Sequence, residues 1–389
     1  MIDLARVRAD TPGCLERVFL DSAGSSLPPE PVVRAVSDHL RREAEVGGYV
    51  AEEERADDLA GLRASLGRLL RCPPESVALM DSATRAWAQF FYAVPLAPGD
   101  RILLSRAEYA SNAIAALQRA RRHGARVDVV PATSTGELDL DALADLVDER
   151  VRLVSLVHVP TNGGLVNPVR EATELVHEVG GLVLLDACQS VGQLDLDVQA
   201  LGVDALTGTG RKWLRGPRGT GFLHVRPDLI RELEPPVLDL HSATWVADDR
   251  YEPRDDATRF ELWESDVAGE LGLKAAVDYA LELGMDAVEA EVKARADRLR
   301  SLLAELPSVT VTDLGRERCG IVSFAVDDVP APAVRDALSG RAIIVTVSER
   351  SSTLLDMSDR SLESLVRASP HYFVSDEQLE EAARAVAAL

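Results

Sequence analysis

Lysine is nearly missing from this chain. Of 42 basic residues only Lys212, Lys274 and Lys293 are lysines; the rest are arginines. Arginine can carry surface charge, but it cannot lose a proton near neutral pH and attack a carbonyl, so that chemistry is confined to three positions. Basic charge is in short supply as well. The 64 acidic residues bring the formal net charge to −22, which argues against nucleic acid and anionic membrane as partners. No apolar run approaches the length of a membrane span. The opening MIDLARVRADTPGCLERVFL has no uninterrupted apolar core of the signal-peptide kind. The four cysteines, Cys14, Cys72, Cys188 and Cys319, have neither CxxC nor zinc spacing. They read as reduced thiols of a cytoplasmic protein, with no metal site.

With 389 residues and 46% hydrophobic content, the chain is long enough for two domains with cores of their own. From about Ser76 to Val225, short continuous apolar runs (VALM, RILLS, RVDVV, RLVSLVHV, LVLLD) alternate with helical patterns. Runs of that kind are strands buried on both faces, and their alternation with helices predicts an α/β fold with a parallel, doubly wound sheet. Pro227 to Arg259 reads as irregular, and Val267 to Leu306 as one long helical region. VTVTDL, GIVSFAV and AIIVTVS then mix with helices as a smaller α+β domain. Its last helix opens with Ser375 and Gln378 in capping-box spacing. The domain reading is a large unit over 19–259 and a small one from 1–18 and 260–389.

Lys274 and Lys293 fall in helical patterns. Lys212 lies in TGTGRKWLRGPRGTG, a glycine-rich stretch 26 residues after Asp186, which ends the apolar run LVLLD. An acid at the end of a buried strand followed by a lysine in a glycine-rich turn suggests pyridoxal phosphate (PLP), whose chemistry needs a lysine for its aldehyde and an aspartate for its ring nitrogen. The freed lysine amine then serves as a base at Cα. Asp186 would otherwise be a costly unpaired charge, or simply a sheet-end cap. Ser82, Ala83 and Thr84 follow VALM and open a helical run, which makes an anion site or an ordinary N-cap. Thr209 and Arg211 flank the lysine and are candidates for the same phosphate. Gln189 is a candidate for the ring oxygen, Tyr109 for stacking on the ring face, and Arg367 for clamping a substrate carboxylate.

Together these segments resemble the class V aminotransferase family of fold-type I PLP enzymes. The resemblance runs from FLDSAGSSLPP at Phe19 to VRASPHYF at Val366 and rests on LLDACQSVGQ, TGTGRKWLRGPRGTG, DSATRA, RFELWE and the late arginine. It implies a homodimer with shared active sites. It also implies Lys212 as the Schiff-base lysine, Asp186 at the ring nitrogen, and Gln189 and Thr161 at the ring oxygen. Thr84, Thr209 and Arg211 would bind phosphate, Tyr109 would stack, and Arg367 would bind the carboxylate. Ser25 is assigned to the substrate side. In layout the chain is similar to cysteine desulfurases, but their nucleophilic cysteine is missing from VSERSSTLLDMSDRSLESLVR. Glu264 stands where a threonine is usual at the segment that reaches the neighbouring subunit's phosphate, so Ser265 or a backbone group takes that role.

REAEVGGYVAEE resembles C–S lyases of ergothioneine biosynthesis, and similar enzymes act in lincosamide-antibiotic pathways. Gly47, Gly48 and Tyr49 would then line the substrate entrance; a Gly-Gly turn between helices is the plain alternative. The expected reaction is β-elimination from an S-substituted cysteine or its sulfoxide, in sulfur-containing secondary metabolism. An epimerase, a decarboxylating oxidative deaminase or an aminotransferase of the same family are alternatives, and a non-catalytic PLP-binding regulator is a more distant one.

Overall fold

A computed structural model gives the fold and describes residues 2–389. The apolar runs form one seven-stranded sheet: β1 (Val77–Met80), β2 (Arg101–Ser105), β3 (Arg126–Val130), β4 (Val151–Val157), β5 (Leu182–Asp186), β6 (Ala205–Thr209) and β7 (Gly221–Val225). The strand order is β1-β7-β6-β5-β4-β2-β3. β2 to β6 are parallel, and β7 is antiparallel to both its neighbours. Every residue of β2, β6 and β7 is buried, which is why these segments read as continuous apolar runs rather than alternating ones.

The period of two is still visible in the packing. Ile102, Leu104, Leu184 and Leu223 share one apolar layer with Trp87, Phe90 and Phe91. Leu103, Val154, Leu185 and Leu206 belong to the other, with Val176. The longer helices are α1 (Glu30–Val46), α2 (Ala56–Leu70), α3 (Ala83–Ala93), α4 (Ala110–His123), α5 (Val169–Glu178), α6 (Val267–Leu283), α7 (Met285–Ala304) and α8 (Asp376–Val386). α3 follows β1 and α4 follows β2, so both begin at the edge where the parallel strands end.

Three details differ from the sequence reading or sharpen it. The stretch read as irregular holds an antiparallel hairpin, β8 (Ala243–Ala247) with β9 (Arg250–Pro253). Both its faces are largely exposed, so no alternation marked it. The long helical region is two helices, because Gly284 adopts φ +84 and ends α6 before α7 starts. α8 does open with a capping box: Ser375 Oγ accepts from Gln378 N at 3.4 Å, and the Gln378 side chain accepts from Ser375 N at 3.1 Å.

A second sheet is built from β10 (Val309–Val311), β11 (Val322–Val326), β12 (Thr346–Glu349) and β13 (Ser364–Ala368), in the antiparallel order β10-β11-β13-β12. Early chain joins late chain here. Val18 and Phe19 pair in parallel with Ile343 and Ile344, and Ser369 N donates to Leu20 O at 2.7 Å. That seam carries Asp21 and Arg367 to the edge of the large sheet. No helix is long and apolar enough to cross a membrane among the described residues.

Candidate active site

Val157, Asp186 and Thr209 stand at the ends of three adjacent parallel strands, the place where open α/β sheets bind ligands. They line a cavity of about 120 Å³ together with Ser82, Ala83, Thr84, Trp87, Tyr109, Asn112, Val159, Thr161, Cys188, Gln189, Arg211 and Lys212. Ten residues expected at the cofactor are thus brought together from segments far apart in the chain.

Lys212 is held there by its own turn. Arg215 N donates to Lys212 O at 2.9 Å and Gly216 N to Gly210 O at 2.8 Å. Arg215 itself sits at φ 64 and is anchored on Leu27 O and Tyr372 Oη. Lys274 and Lys293 are ion-paired, with Asp278 and with Glu289 and Glu317, whereas Lys212 forms no ion pair among the described residues. Burial pushes its ammonium pKa down against the opposing pull of Cys188 and Asp186. The result favours a neutral, nucleophilic amine.

Asp186 is buried and fixed from two sides. Its Oδ2 accepts from Asn112 Nδ2 at 3.0 Å, and its Oδ1 from Cys188 N at 3.0 Å. Ser82 caps α3, accepting from Arg85 N at 3.3 Å, so the start of that helix opens on the cavity. Gly221 explains how close the backbone comes. A Cβ there would lie 2.5 Å from the Ser82 carbonyl carbon and 2.6 Å from Ala83 N. Gly221→Ala is therefore expected to lower stability by about 1–3 kcal/mol and to weaken cofactor binding, measured by thermal melts and by cofactor titration.

Arg367 comes from β13 and is buried. Its Nη1 donates to Thr161 O at 3.0 Å and Oγ1 at 2.9 Å, its Nη2 pairs with Asp21 at 3.1 Å, and its Nε is buried without a partner. Thr161 Oγ1 also accepts from Gln189 Nε2 at 3.3 Å, so one hydroxyl ties the arginine to the cavity wall. The Gln189 amide is otherwise engaged by Ala23 O at 3.0 Å and by Trp213 Nε1 at 3.0 Å. Arg211 Nη1 donates to Gly24 O, and Ser26 N donates to Arg211 O at 2.9 Å. Ser25, exposed, ends the same turn.

Four expected residues lie elsewhere. Gly48, Tyr49, Glu264 and Ser265 line a separate cavity of about 620 Å³ with Arg63, His241, Glu261 and Glu270. Gly47, at φ +87, ends α1, which accounts for the Gly-Gly pair as a turn. Burial drives the Glu270 carboxyl up to about 7. Three residues escaped the sequence reading. Trp87 lines the lysine cavity with a buried, unpartnered Nε1; its place one turn into α3 was the available signal. Asn112 and Glu108 had no signal beyond their nearness to Tyr109. Cys188, read as one of four reduced thiols, has part of its surface on the cavity, and burial raises its thiol pKa well above the ordinary value.

A group with a phosphate, an aldehyde and a basic ring nitrogen fits these residues. The unpaired Lys212 amine, the Asp186 carboxylate, the Arg211 guanidinium, the α3 start and the orphaned Trp87 N–H are the complementary set. The aminotransferase class-V model matches residues 18–381. The chain belongs to the aminotransferase class-V family. It is a PLP-dependent enzyme of the cysteine desulfurase/C–S lyase type. Among class-V relatives, it is 30% identical over 396 residues to a cysteine desulfurase of Dickeya dadantii, covering 96% of this chain and 94% of that one. It is 28% identical over 390 residues to a cysteine desulfurase of Haloferax volcanii, covering 95% and 88%. Among solved structures, the Escherichia coli cysteine desulfurase CsdA superposes with a TM-score of 0.92 at 22% identity, over 99% of this chain and 98% of the other. The cystine C–S lyase C-DES, held with its reaction product cysteine persulfide, superposes with a TM-score of 0.87 at 26% identity, over 97% and 99%.

Proposed function

We propose that this chain is a C–S β-lyase that cleaves an S-substituted cysteine, or its sulfoxide, to a thiol or sulfenate, pyruvate and ammonia. One observation carries the choice of lyase over persulfide-forming desulfurase. The segment from Glu349 to Leu362, which leads to the Arg367 strand, folds as a 3₁₀ turn and a short helix and contains no cysteine. Cys14 and Cys319 are buried and Cys72 lies away from the cavity; Cys188, which borders it, is held as a thiol. The likeness to a cystine C–S lyase supports the same class.

Lys212, Asp186, Arg211, Thr84, Thr209 and Tyr109 would hold the cofactor. When bound, the cofactor would supply an aldehyde for the substrate amine and a ring able to take up charge from Cα. The protein's part follows from its own groups. Arg367, held by Thr161 through Nη1 and by Asp21 through Nη2, would supply its unpartnered Nε to the substrate carboxylate. Lys212 Nζ, whose pKa burial lowers, takes the Cα proton as the free amine. Asp186 keeps a negative charge opposite the ring nitrogen. The Cβ–S electron pair leaves on sulfur, which gains a proton. With one water the balance closes for a thioether substrate, giving thiol, pyruvate and ammonia.

The entrance we assign to Gly48 and Tyr49, and the phosphate role of Ser265 beside Glu264, require a second copy of the chain. Tyr49 is 77% exposed and Trp263 is 52% exposed in one chain, which supports a homodimer that covers them. Within the lyase class, REAEVGGYVAEE supports a sulfur-containing secondary metabolite as substrate. Incubation with S-alkyl cysteine, cystine and hercynylcysteine sulfoxide tests the reading. Stoichiometric pyruvate with released sulfur species supports it and ranks the substrates. Deuterium uptake at Cα or CO₂ release without pyruvate would replace it by the epimerase or decarboxylating alternative. Arg367→Ala is expected to raise KM about 10- to 100-fold, the loss of one or two charge-assisted hydrogen bonds. Equal rates for carboxylate-free amines with the wild type would remove that role.

A further inference from the structure

The wall behind Asp186 holds a second carboxyl that the mechanism does not use. Glu108 is 2% exposed and precedes α4 at the end of β2. Its Oε1 accepts from Tyr109 N at 2.9 Å and from Asn112 Nδ2 at 2.9 Å. The same Asn112 nitrogen donates to Asp186 Oδ2 at 3.0 Å. One amide group therefore bridges two carboxyls, and the backbone of Tyr109 hangs from one of them. The other oxygen, Oε2, is buried without a partner, as are the hydroxyls of Ser105 and Ser155.

We propose that Glu108 is a positioning residue, which through Asn112 fixes the Asp186 carboxylate toward the ring nitrogen and through its bond to Tyr109 N sets the residue over the ring face. The inference rests on the PLP reading above and goes one layer behind it. A carboxylate at Glu108 would put a second negative charge beside Asp186, with only one Asn112 amide between them. A neutral carboxyl avoids this. It keeps a carbonyl acceptor for Tyr109 N and Asn112, and it turns the unpartnered Oε2 into a donor. Burial favours that neutral form first, and Asp186 adds to it, so Glu108 holds its proton up to about pH 8. The titratable groups around it are Asp186 on β5 and, in the same cavity, Tyr109, Cys188 and Lys212. Because the folded-state pKa is raised, the contribution of Glu108 is whole below the ordinary carboxylate range and is lost as pH passes about 8.

The test uses the full-length wild type, Glu108→Gln and Glu108→Ala, with pyridoxal phosphate affinity and the bound cofactor's absorbance followed across pH. Glutamine keeps the carbonyl acceptor and cannot ionise. Wild type is expected to lose affinity above pH 8, and Glu108→Gln to match it below that pH without the alkaline loss. Glu108→Ala is expected to bind the cofactor about 10-fold more weakly, with its pH-dependent absorbance change moved. If wild type binds cofactor and both variants match it in affinity and in titration, the Glu108 inference is wrong while the PLP reading stands. If wild type takes up no cofactor, the reading beneath it fails and takes the inference with it.

Discussion

Lys212→Ala is expected to lower turnover of an S-substituted cysteine by about 10³-fold or more, the loss of a general base and of the group that holds the cofactor aldehyde. The fold should survive. Lys212 leaves no ion-pair partner behind among the described residues, and its amine sits in a cavity where burial already disfavours charge. Melting temperature is therefore expected to stay near the wild-type value or to rise slightly. Mass spectrometry after hydride reduction should find a covalent cofactor adduct on wild type and none on the variant. Wild-type turnover in Lys212→Ala would refute the assignment, whichever substrate is used.

Asp186→Asn isolates charge from shape. Asparagine keeps the shape but has a single acceptor oxygen, so it can accept from Cys188 N or, with its amide turned, from Asn112, the two groups that fix the native side chain at 3.0 Å each. What it cannot supply is a negative charge opposite the ring nitrogen. Turnover is expected to fall about 10²- to 10³-fold, as when one preorganised electrostatic partner is removed, while the covalent bond to Lys212 remains. Loss of the lysine adduct instead would mean that Asp186 holds the cofactor's position rather than its charge. Wild-type turnover would remove it from the mechanism.

The large sheet was legible in the sequence because its strands are buried on both faces, and burial leaves a plain apolar run. Lys212 stood out because lysine is scarce and this one follows such a run in a glycine-rich turn; Asp186 ends a run, where a sheet-end cap was the plain alternative. The smaller features were hidden by geometry. Asn112 reaches Asp186 from the start of α4 across 74 residues of sequence, and Glu108, in the loop before that helix, accepts from the same amide; no local pattern encodes a contact between elements. The β8–β9 hairpin is exposed on both faces, so it lacks the alternation that marks a half-buried strand. By resemblance Glu264 and Ser265 were placed at the cofactor and Gly48 and Tyr49 at the substrate entrance, yet all four line a different cavity of the single chain. Only a symmetric partner could unite the two sets, and symmetry leaves no mark in one sequence.

The seam between Leu20 and Ser369 joins residues 349 apart. During synthesis the segment that carries Asp21 emerges 346 residues before Arg367. The central sheet, whose strands follow one another along the chain, can assemble before that seam closes. A chain stopped short of Arg367 would hold Lys212 and Asp186 in place without the guanidinium we assign to the substrate carboxylate.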